Sequence, residues 1–138
     1  MAADMGKRLK RMTALIAQVE RKTSGSAGVY AKKLKTRIDD LMQGSARDEA
    51  RIEQEIAFFA DRTDIAEECV RIRSHLQQYQ ETLKNKNPVG RRLNFVLQEL
   101  NREANTIGSK GSDFDISKLV ISLKEEIEKL REMVQNVE

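Results

Sequence analysis

The sequence contains few of the residues on which β-sandwiches and disulfide-linked folds depend. Aromatic residues make up 4% of its 138 residues, tryptophan is absent, and there is one cysteine and one proline. A single cysteine excludes an intramolecular disulfide and a zinc site built from cysteines, and the scarcity of aromatic residues argues against an all-β fold. No apolar run approaches the ~20 residues that a membrane-spanning helix needs, and the N-terminal residues lack the apolar core of a secretory signal. These absences favour an intracellular helical protein without a membrane span.

Charged residues, by contrast, are abundant and unevenly distributed. They make up 34% of the chain, above the usual share of about 25%, which is typical of long amphipathic helices. Residues 1–47 contain 11 Lys and Arg and 4 Asp and Glu, a net charge of +7, whereas residues 48–138 have a net charge of −4. This asymmetry is typical of a protein that binds a polyanion with one part and carries metal or acid chemistry in another. Solvated helix faces in a coiled-coil-like hairpin explain the same charges.

Apolar residues that recur every three or four positions predict helices. Such stripes run over residues 5–19, 30–41, 52–59, 65–83, 93–107 and 116–137. Between these stripes, helices are expected to end at Gly44-Ser45, at Pro88 and at Gly108. We therefore predict an all-α fold, in which long antiparallel helices form a coiled-coil-like hairpin or bundle. A basic helical segment is expected at residues 1–47 and a helical domain at residues 48–138.

One group of polar residues follows the apolar stripe of the helix that begins near residue 64. At about 100° per residue, five of its side chains share one face. They are Asp64, Glu67, Glu68, Arg71 and His75. Carboxylates with a neutral imidazole can bind Mg²⁺ or Mn²⁺, and a histidine there can act as a general base. Alternatively, Asp64 is the helix N-cap, the two glutamates form helix salt bridges with Arg71, and His75 is structural.

The next helix carries two further polar faces. Glu99 and Glu103 lie four residues apart, where like charges destabilise a helix unless a cation offsets them. Amide side chains occupy another face, with Arg91 and Arg102 nearby: Asn94, Gln98, Asn101 and Asn105. Amides both donate and accept, so they suit base edges, sugar hydroxyls or a hydrogen-bonded helix contact.

Basic residues outside these two helices suggest phosphate contacts. Gly108-Ser109-Lys110-Gly111-Ser112 precedes a helix and could bind phosphate, although a tight interhelical turn explains its glycines equally well. Two basic runs are also suited to phosphate binding without sequence readout. They consist of Lys7, Arg8, Lys10, Arg11, Lys32, Lys33, Lys35 and Arg37.

Several longer motifs resemble the C-terminal region of the YicC/YloC family. They are ADRTDIAEE (60–68), RSHL (73–76), GRRLNF (90–95), QELNREANTIGSK (98–110) and VQNVE (134–138). The resemblance is gapless over most of residues 48–138, whereas residues 1–47 resemble the family in helical character only. Members of this family also have an N-terminal domain about as large as this chain, which this sequence does not include.

The resemblance implies a bacterial, cytoplasmic, oligomeric and metal-dependent endoribonuclease that cuts single-stranded or structured RNA. The polar positions of the family motifs correspond here to Asp64, Glu67, Glu68, His75, Arg91, Glu99, Arg102, Glu103, Asn105 and Lys110. Its expected partners are RNA, further copies of the chain and other RNA-decay enzymes, and no membrane is expected.

From the chemistry of these side chains we assign roles. The catalytic residues are expected to be His75, as general acid and base, with Glu99 and Glu103. A divalent cation, Mn²⁺ or Mg²⁺, is expected on Asp64, Glu67, Glu68, Glu99 and Glu103. RNA contacts are expected from Arg71, Arg91, Arg102, Asn101, Asn105 and Lys110. The alternative is a non-catalytic helical module that docks RNA or assembles an oligomer; a plain coiled-coil adaptor is the third hypothesis.

Overall fold

Six α-helices make up the computed structural model, which describes residues 2–23, 26–41, 49–85, 90–110 and 114–137. They are α1 (Ala2–Thr23), α2 (Ser26–Leu41), α3 (Glu49–Thr63), α4 (Ala66–Leu83), α5 (Gly90–Lys110) and α6 (Phe114–Val137). No strand occurs among the described residues, so the predicted all-α fold is confirmed. The helix ends predicted at Gly44-Ser45 and Pro88 lie outside those residues. None of the helices described is both long enough and apolar enough to cross a membrane.

Four of the helices form a bundle in which each packs against two neighbours. The contacting pairs are α1 with α4, α4 with α5, α5 with α6, and α6 with α1. Helices α4 and α5 are antiparallel, because Glu103 of α5 pairs with Arg71 of α4 while Lys110, further along α5, pairs with the earlier Glu68. The ion pairs of α1 with α6 show the same opposite direction. The predicted apolar stripes of these four helices provide the bundle core. Burial of such side chains contributes about 1.5–3 kcal/mol each, which is the main force that holds the bundle together.

Helices α2 and α3 pack mainly on each other, and α2 also contacts α1. The basic residues of α2, from Lys32 to Arg37, are exposed on this hairpin. Helix α1, by contrast, belongs to the same bundle as α4, α5 and α6. The domain division at residue 47 stays a prediction. Helix packing joins α1, before this boundary, to α4 and α6, which follow it.

Ion pairs hold α1 against its neighbours, and one of them involves a buried carboxylate. Glu126 of α6 is 3% exposed and accepts a hydrogen bond of 2.9 Å from Arg8, while Arg11 lies 3.3 Å away. Arg73 of α4 donates from Nε to Glu20 of α1 at 2.9 Å. Arg8 and Arg11, which the sequence suggested for phosphate contacts, therefore hold a buried carboxylate instead.

The predicted end of a helix at Gly108 is wrong, because α5 continues to Lys110. Gly108 lies inside α5, where that helix packs against α6. A Cβ atom at residue 108 would lie 3.4 Å from Cγ1 of Val120, which is an ordinary van der Waals distance. The glycine therefore lies at a helix contact and not at a C-terminal cap.

The buried thiol of Cys69 predicts a pH-dependent stability. Cys69 is 2% exposed, and burial, with smaller contributions from Glu20 and Glu68, raises the pKa of its thiol to about 11. Between the ordinary pKa of a thiol and this value, the unfolded chain loses a proton that the native state keeps. Stability should therefore fall as pH rises from about 9 to 11, by up to ~1.4 kcal/mol per unit. Urea unfolding of the wild type and Cys69→Ala tests this: the variant should show the smaller decline, and equal slopes would contradict it.

Candidate active site

The face between α4 and α5 carries a row of ionisable side chains beside the bundle core. Glu103 follows Glu99 by one helical turn on α5, and Lys110 follows two turns later. Their counterparts on α4 are Glu68, Arg71 and His75. Because the two helices are antiparallel, the C-terminal part of α5 faces the N-terminal part of α4. The sequence placed these residues on the correct helix faces, but the structure alone gives their pairing across the helices.

His75, Glu99 and Glu103 form an imidazole–carboxylate cluster. Each offers one potential ligand atom, and these atoms all lie within 4.8 Å of one another. Nδ1 of His75 lies 3.2 Å from the side-chain oxygen of Gln78. Within the described part of the chain, no Lys or Arg forms an ion pair with Glu99. The cluster thus brings together the three residues that were predicted to be catalytic, and its donor set suits a divalent cation.

Arg71 connects three carboxylates at one end of this cluster. Its Nε donates to Oε1 of Glu103 at 3.0 Å, and its terminal nitrogens lie 3.4 Å from Glu68 and 3.5 Å from Glu67. The hydrogen bond to Glu103 is the largest of the effects that raise the pKa of the Arg71 guanidinium. Glu103 is 6% exposed, so this bond orients a buried carboxylate. Arg71 therefore holds carboxylates, where the sequence suggested an RNA contact.

Lys110 contacts a second buried carboxylate. Its ammonium donates to Oε1 of Glu68 at 2.9 Å and to the backbone oxygen of Asp64 at 3.3 Å. Glu68 is only 3% exposed, and its Oε2 is buried without a hydrogen-bond partner. Lys110 lies in the last turn of α5, so it does not belong to the phosphate-binding loop suggested by the sequence. Gly111 and Ser112 lie outside the described residues.

Asp64, Glu67 and Glu68, the predicted metal ligands of α4, do not join the cluster. Oδ1 of Asp64 accepts a hydrogen bond of 3.0 Å from the backbone N–H of Ala66. Ile65 is the N-cap of α4, so Asp64 precedes the cap and is not the cap itself. Glu67 is exposed and lies 3.5 Å from a terminal nitrogen of Arg71. At a rise of 1.5 Å per residue, Asp64 is ~16 Å along the helix from His75.

The remaining predicted RNA contacts lie on the outer side of α5. Arg91 and Arg102 are exposed, and neither has an ion-pair partner among the described residues. Asn101 lines an amide groove of about 320 Å³ between α5 and α6, and Asn105 is exposed nearby. The groove is lined by Asn94, Leu97, Gln98, Asn101, Lys124, Ile127, Glu128, Arg131 and Gln135. Free cations and open amides on one helix suit a negatively charged, hydrogen-bonding ligand.

Sequence reasoning missed two residues beside the cluster, Gln78 and Phe95. Phe95 is 60% exposed and lines a cavity of about 500 Å³ together with Gln78. A signal for Phe95 was present, because it lies outside the apolar stripe and one turn before Glu99 on the same face. Gln78 carried no such signal, since polar residues on an exposed helix face are common.

Together the fold and the site define an all-α protein with an imidazole–carboxylate cluster beside exposed arginines. A family model described as "Endoribonuclease YicC-like, C-terminal" matches residues 8–138. The chain belongs to this family, as its motifs indicate. The match begins near the start of the chain, so the similarity includes most of the segment before residue 48.

Two bacterial relatives show the same similarity. A protein of Clostridioides difficile (strain 630) named "Probable endoribonuclease YicC" is 42% identical over 139 aligned residues, which cover 100% of this chain and 47% of the relative. A protein of the same name from Haemophilus influenzae (strain ATCC 51907 / DSM 11121 / KW20 / Rd) is 45% identical over 91 residues, or 66% of this chain and 32% of the relative. The match thus spans about half the length of the first relative and about a third of the length of the second.

Proposed function

We propose that this chain is the RNA-cleaving part of a metal-dependent endoribonuclease. The observation that carries the proposal is the cluster of His75, Glu99 and Glu103, whose potential ligand atoms lie within 4.8 Å of one another. The names of the relatives support RNA as the substrate. Exposed Arg91 and Arg102 support it as well, because they can contact a phosphate backbone without ion pairs to break.

The residues of the cluster suit a divalent cation. Carboxylates are ligands for Mg²⁺ and Mn²⁺, and an imidazole favours a transition-metal ion over Mg²⁺, so we expect Mn²⁺ to be the better of the two. When bound, such a cation supplies Lewis-acid stabilisation of charge on the phosphate and a nucleophilic water. A hydrogen bond from a protonated Nδ1 of His75 to the side-chain oxygen of Gln78, 3.2 Å away, would leave the Nε2 lone pair for a metal. Arg71 hydrogen-bonds to Oε1 of Glu103, so Oε2 of that carboxylate remains available to a cation.

Other residues of the chain position the cluster or the substrate. Arg71 acts as a positioning residue, because its bond to Glu103 fixes that carboxylate. Lys110 supports the same face through Glu68. Arg91 and Arg102 contact RNA phosphates, while Asn101 and Asn105 contact sugars or bases along the amide groove. Several expectations from the sequence stay predictions. They are metal binding by Asp64, Glu67 and Glu68, assembly into an oligomer, association with other RNA-decay enzymes and a cytoplasmic location.

The alternative function is a non-catalytic module that docks RNA or assembles an oligomer. The ion pairs of Glu68 and Glu103 with Lys110 and Arg71 favour it, since such pairs also occur where carboxylates serve packing alone. On this hypothesis RNA binds the basic surface, and hydrolysis occurs elsewhere.

A metal titration of RNA cleavage tests the proposal. A labelled structured RNA is incubated with the chain in Mn²⁺, in Mg²⁺ and in EDTA, and His75→Ala is compared with Gln80→Ala, an exposed change on the same helix. We expect EDTA to abolish cleavage and His75→Ala to raise the Mn²⁺ concentration for half-maximal rate by at least ~10-fold, by analogy with disturbed metal sites.

Three results would change the assignment. An unchanged half-maximal Mn²⁺ concentration with a lower rate at saturation would make His75 the general acid and base predicted from the sequence. Salt-sensitive RNA binding without any cleavage would favour the non-catalytic module. Cleavage that persists in EDTA would contradict the metal requirement.

A further inference from the structure

The cavity beside the imidazole–carboxylate cluster has an unusual lining. It lies between the C-terminal half of α4 and the N-terminal half of α5, with a volume of about 500 Å³. Its lining residues are Gln78, Glu81, Thr82, Asn85, Arg92, Phe95 and Val96. Phe95 presents an aromatic ring to solvent on a helix whose other large apolar residues are buried. The lining thus combines an exposed ring with amides, one guanidinium and one carboxylate.

We propose that this cavity, here called the base pocket, holds one unpaired nucleobase of the RNA next to the bond that is cut. The proposal rests on the proposed function, because it assigns a subsite of the same substrate. Every nucleobase has a π-face that can stack on Phe95. Gln78 and Asn85 can donate to and accept from a base edge. Arg92 can stack on the base or contact the adjacent phosphate.

The chemistry of the pocket favours a base over a phosphate group. Glu81 would repel a phosphate, whereas its carboxylate can accept a hydrogen bond from the amino group of a base. Arg92 has no ion-pair partner among the described residues, so one cation remains available at the edge of the pocket. An exposed ring gains from stacking but offers nothing to a phosphate.

The position of the pocket connects it to the cluster. Gln78 lines the pocket and hydrogen-bonds to His75 at 3.2 Å. Phe95 lies one helical turn from Glu99, so a base on its ring would bring an adjacent phosphodiester toward the cluster. A base inside a double helix is already stacked and paired, so it cannot enter the pocket. The pocket therefore selects cleavage beside an unpaired nucleotide.

Abasic substitution of the RNA tests the pocket. The cleaved bond of a labelled single-stranded RNA is mapped first, and matched RNAs with one abasic nucleotide at each flanking position are then cut by the chain. We expect one abasic position to lower kcat/KM roughly 10-fold for the wild type, within the range measured for base–aromatic stacking. Phe95→Ala should lower kcat/KM on intact RNA by a similar factor and show no further loss at that position.

Controls separate the pocket from the fold and from the proposed function. Phe95→Tyr keeps the ring and should retain the loss of kcat/KM on abasic RNA. Phe58→Ala removes another exposed ring, on α3, and should leave cleavage unchanged. Wild-type cleavage with unchanged abasic sensitivity in Phe95→Ala would overturn the pocket and leave the proposed function intact. If the wild type neither cuts nor binds RNA, both are overturned.

Discussion

Replacing Glu99 by Gln is expected to lower the rate of RNA cleavage by about three orders of magnitude while the fold stays intact. Metal-assisted stabilisation of transition-state charge amounts to several kcal/mol, and each 1.4 kcal/mol corresponds to a factor of ten. Gln keeps the size of the side chain but removes its charge. Glu99 is half-buried and has no ion-pair partner among the described residues. The unfolding free energy of the variant should therefore differ from that of the wild type by less than about 0.5 kcal/mol.

A matched substitution on α6 separates catalysis from net charge. Glu125 is exposed, and Glu125→Gln changes the charge of the chain by the same amount without touching the cluster. Single-turnover cleavage in saturating Mn²⁺ gives the rate, and urea unfolding gives the stability of each variant. If Glu99→Gln cuts RNA within about threefold of Glu125→Gln, Glu99 has no part in the chemistry and the non-catalytic module becomes the better hypothesis.

The core of the bundle could be predicted from the sequence because helical periodicity specifies which side chains share a face. Met5 and Val19 mark the ends of a stripe on α1 whose members are all buried. In the sequence, the step of six residues from Phe59 to Ile65 breaks the spacing of three or four, and this break corresponds to the junction of α3 and α4. Gly108 misled the prediction, because a glycine inside a helix and one at its end look alike unless the neighbouring helix is known.

The candidate site was harder to predict because periodicity gives an angle around a helix but not the distance to another helix. Asp64 and His75 share a face, yet ~16 Å of helix separates them. Glu99 and Glu103 lie near His75 only because α4 and α5 are antiparallel in one particular register. The imidazole–carboxylate cluster therefore required the packing of two helices to be known.

The roles of the cationic residues were equally hard to predict from the sequence. Sequence reasoning treated Arg71, Arg102 and Lys110 alike as RNA contacts. In the structure Arg102 is exposed, whereas Arg71 and Lys110 contact buried carboxylates of the facing helix. Charge alone cannot separate a free cation from a paired one, since the difference depends on which carboxylates the fold buries beside each.

Lys110→Met is expected to destabilise the chain by about 2–3 kcal/mol, because it leaves the carboxylate of Glu68 buried without its closest cation. Removing one partner of a fully buried pair typically costs about 3–5 kcal/mol, and the expected value is lower because Lys110 remains 35% exposed. Met keeps most of the aliphatic stem, so lost packing contributes little. Lys129→Met, an exposed change on α6, should shift the unfolding free energy by less than about 0.5 kcal/mol.

A double variant identifies the buried charge as the cause. Glu68→Gln combined with Lys110→Met removes the charge that the single variant strands, so the double variant should be more stable than Lys110→Met alone by at least ~1 kcal/mol. Urea unfolding of the wild type, both single variants and the double variant gives this coupling. A double variant no more stable than Lys110→Met would show that the 2.9 Å contact with Glu68 does not hold the fold. Unchanged stability of Lys110→Met, with weaker and less salt-dependent RNA binding, would restore the phosphate contact that the sequence predicts for this lysine.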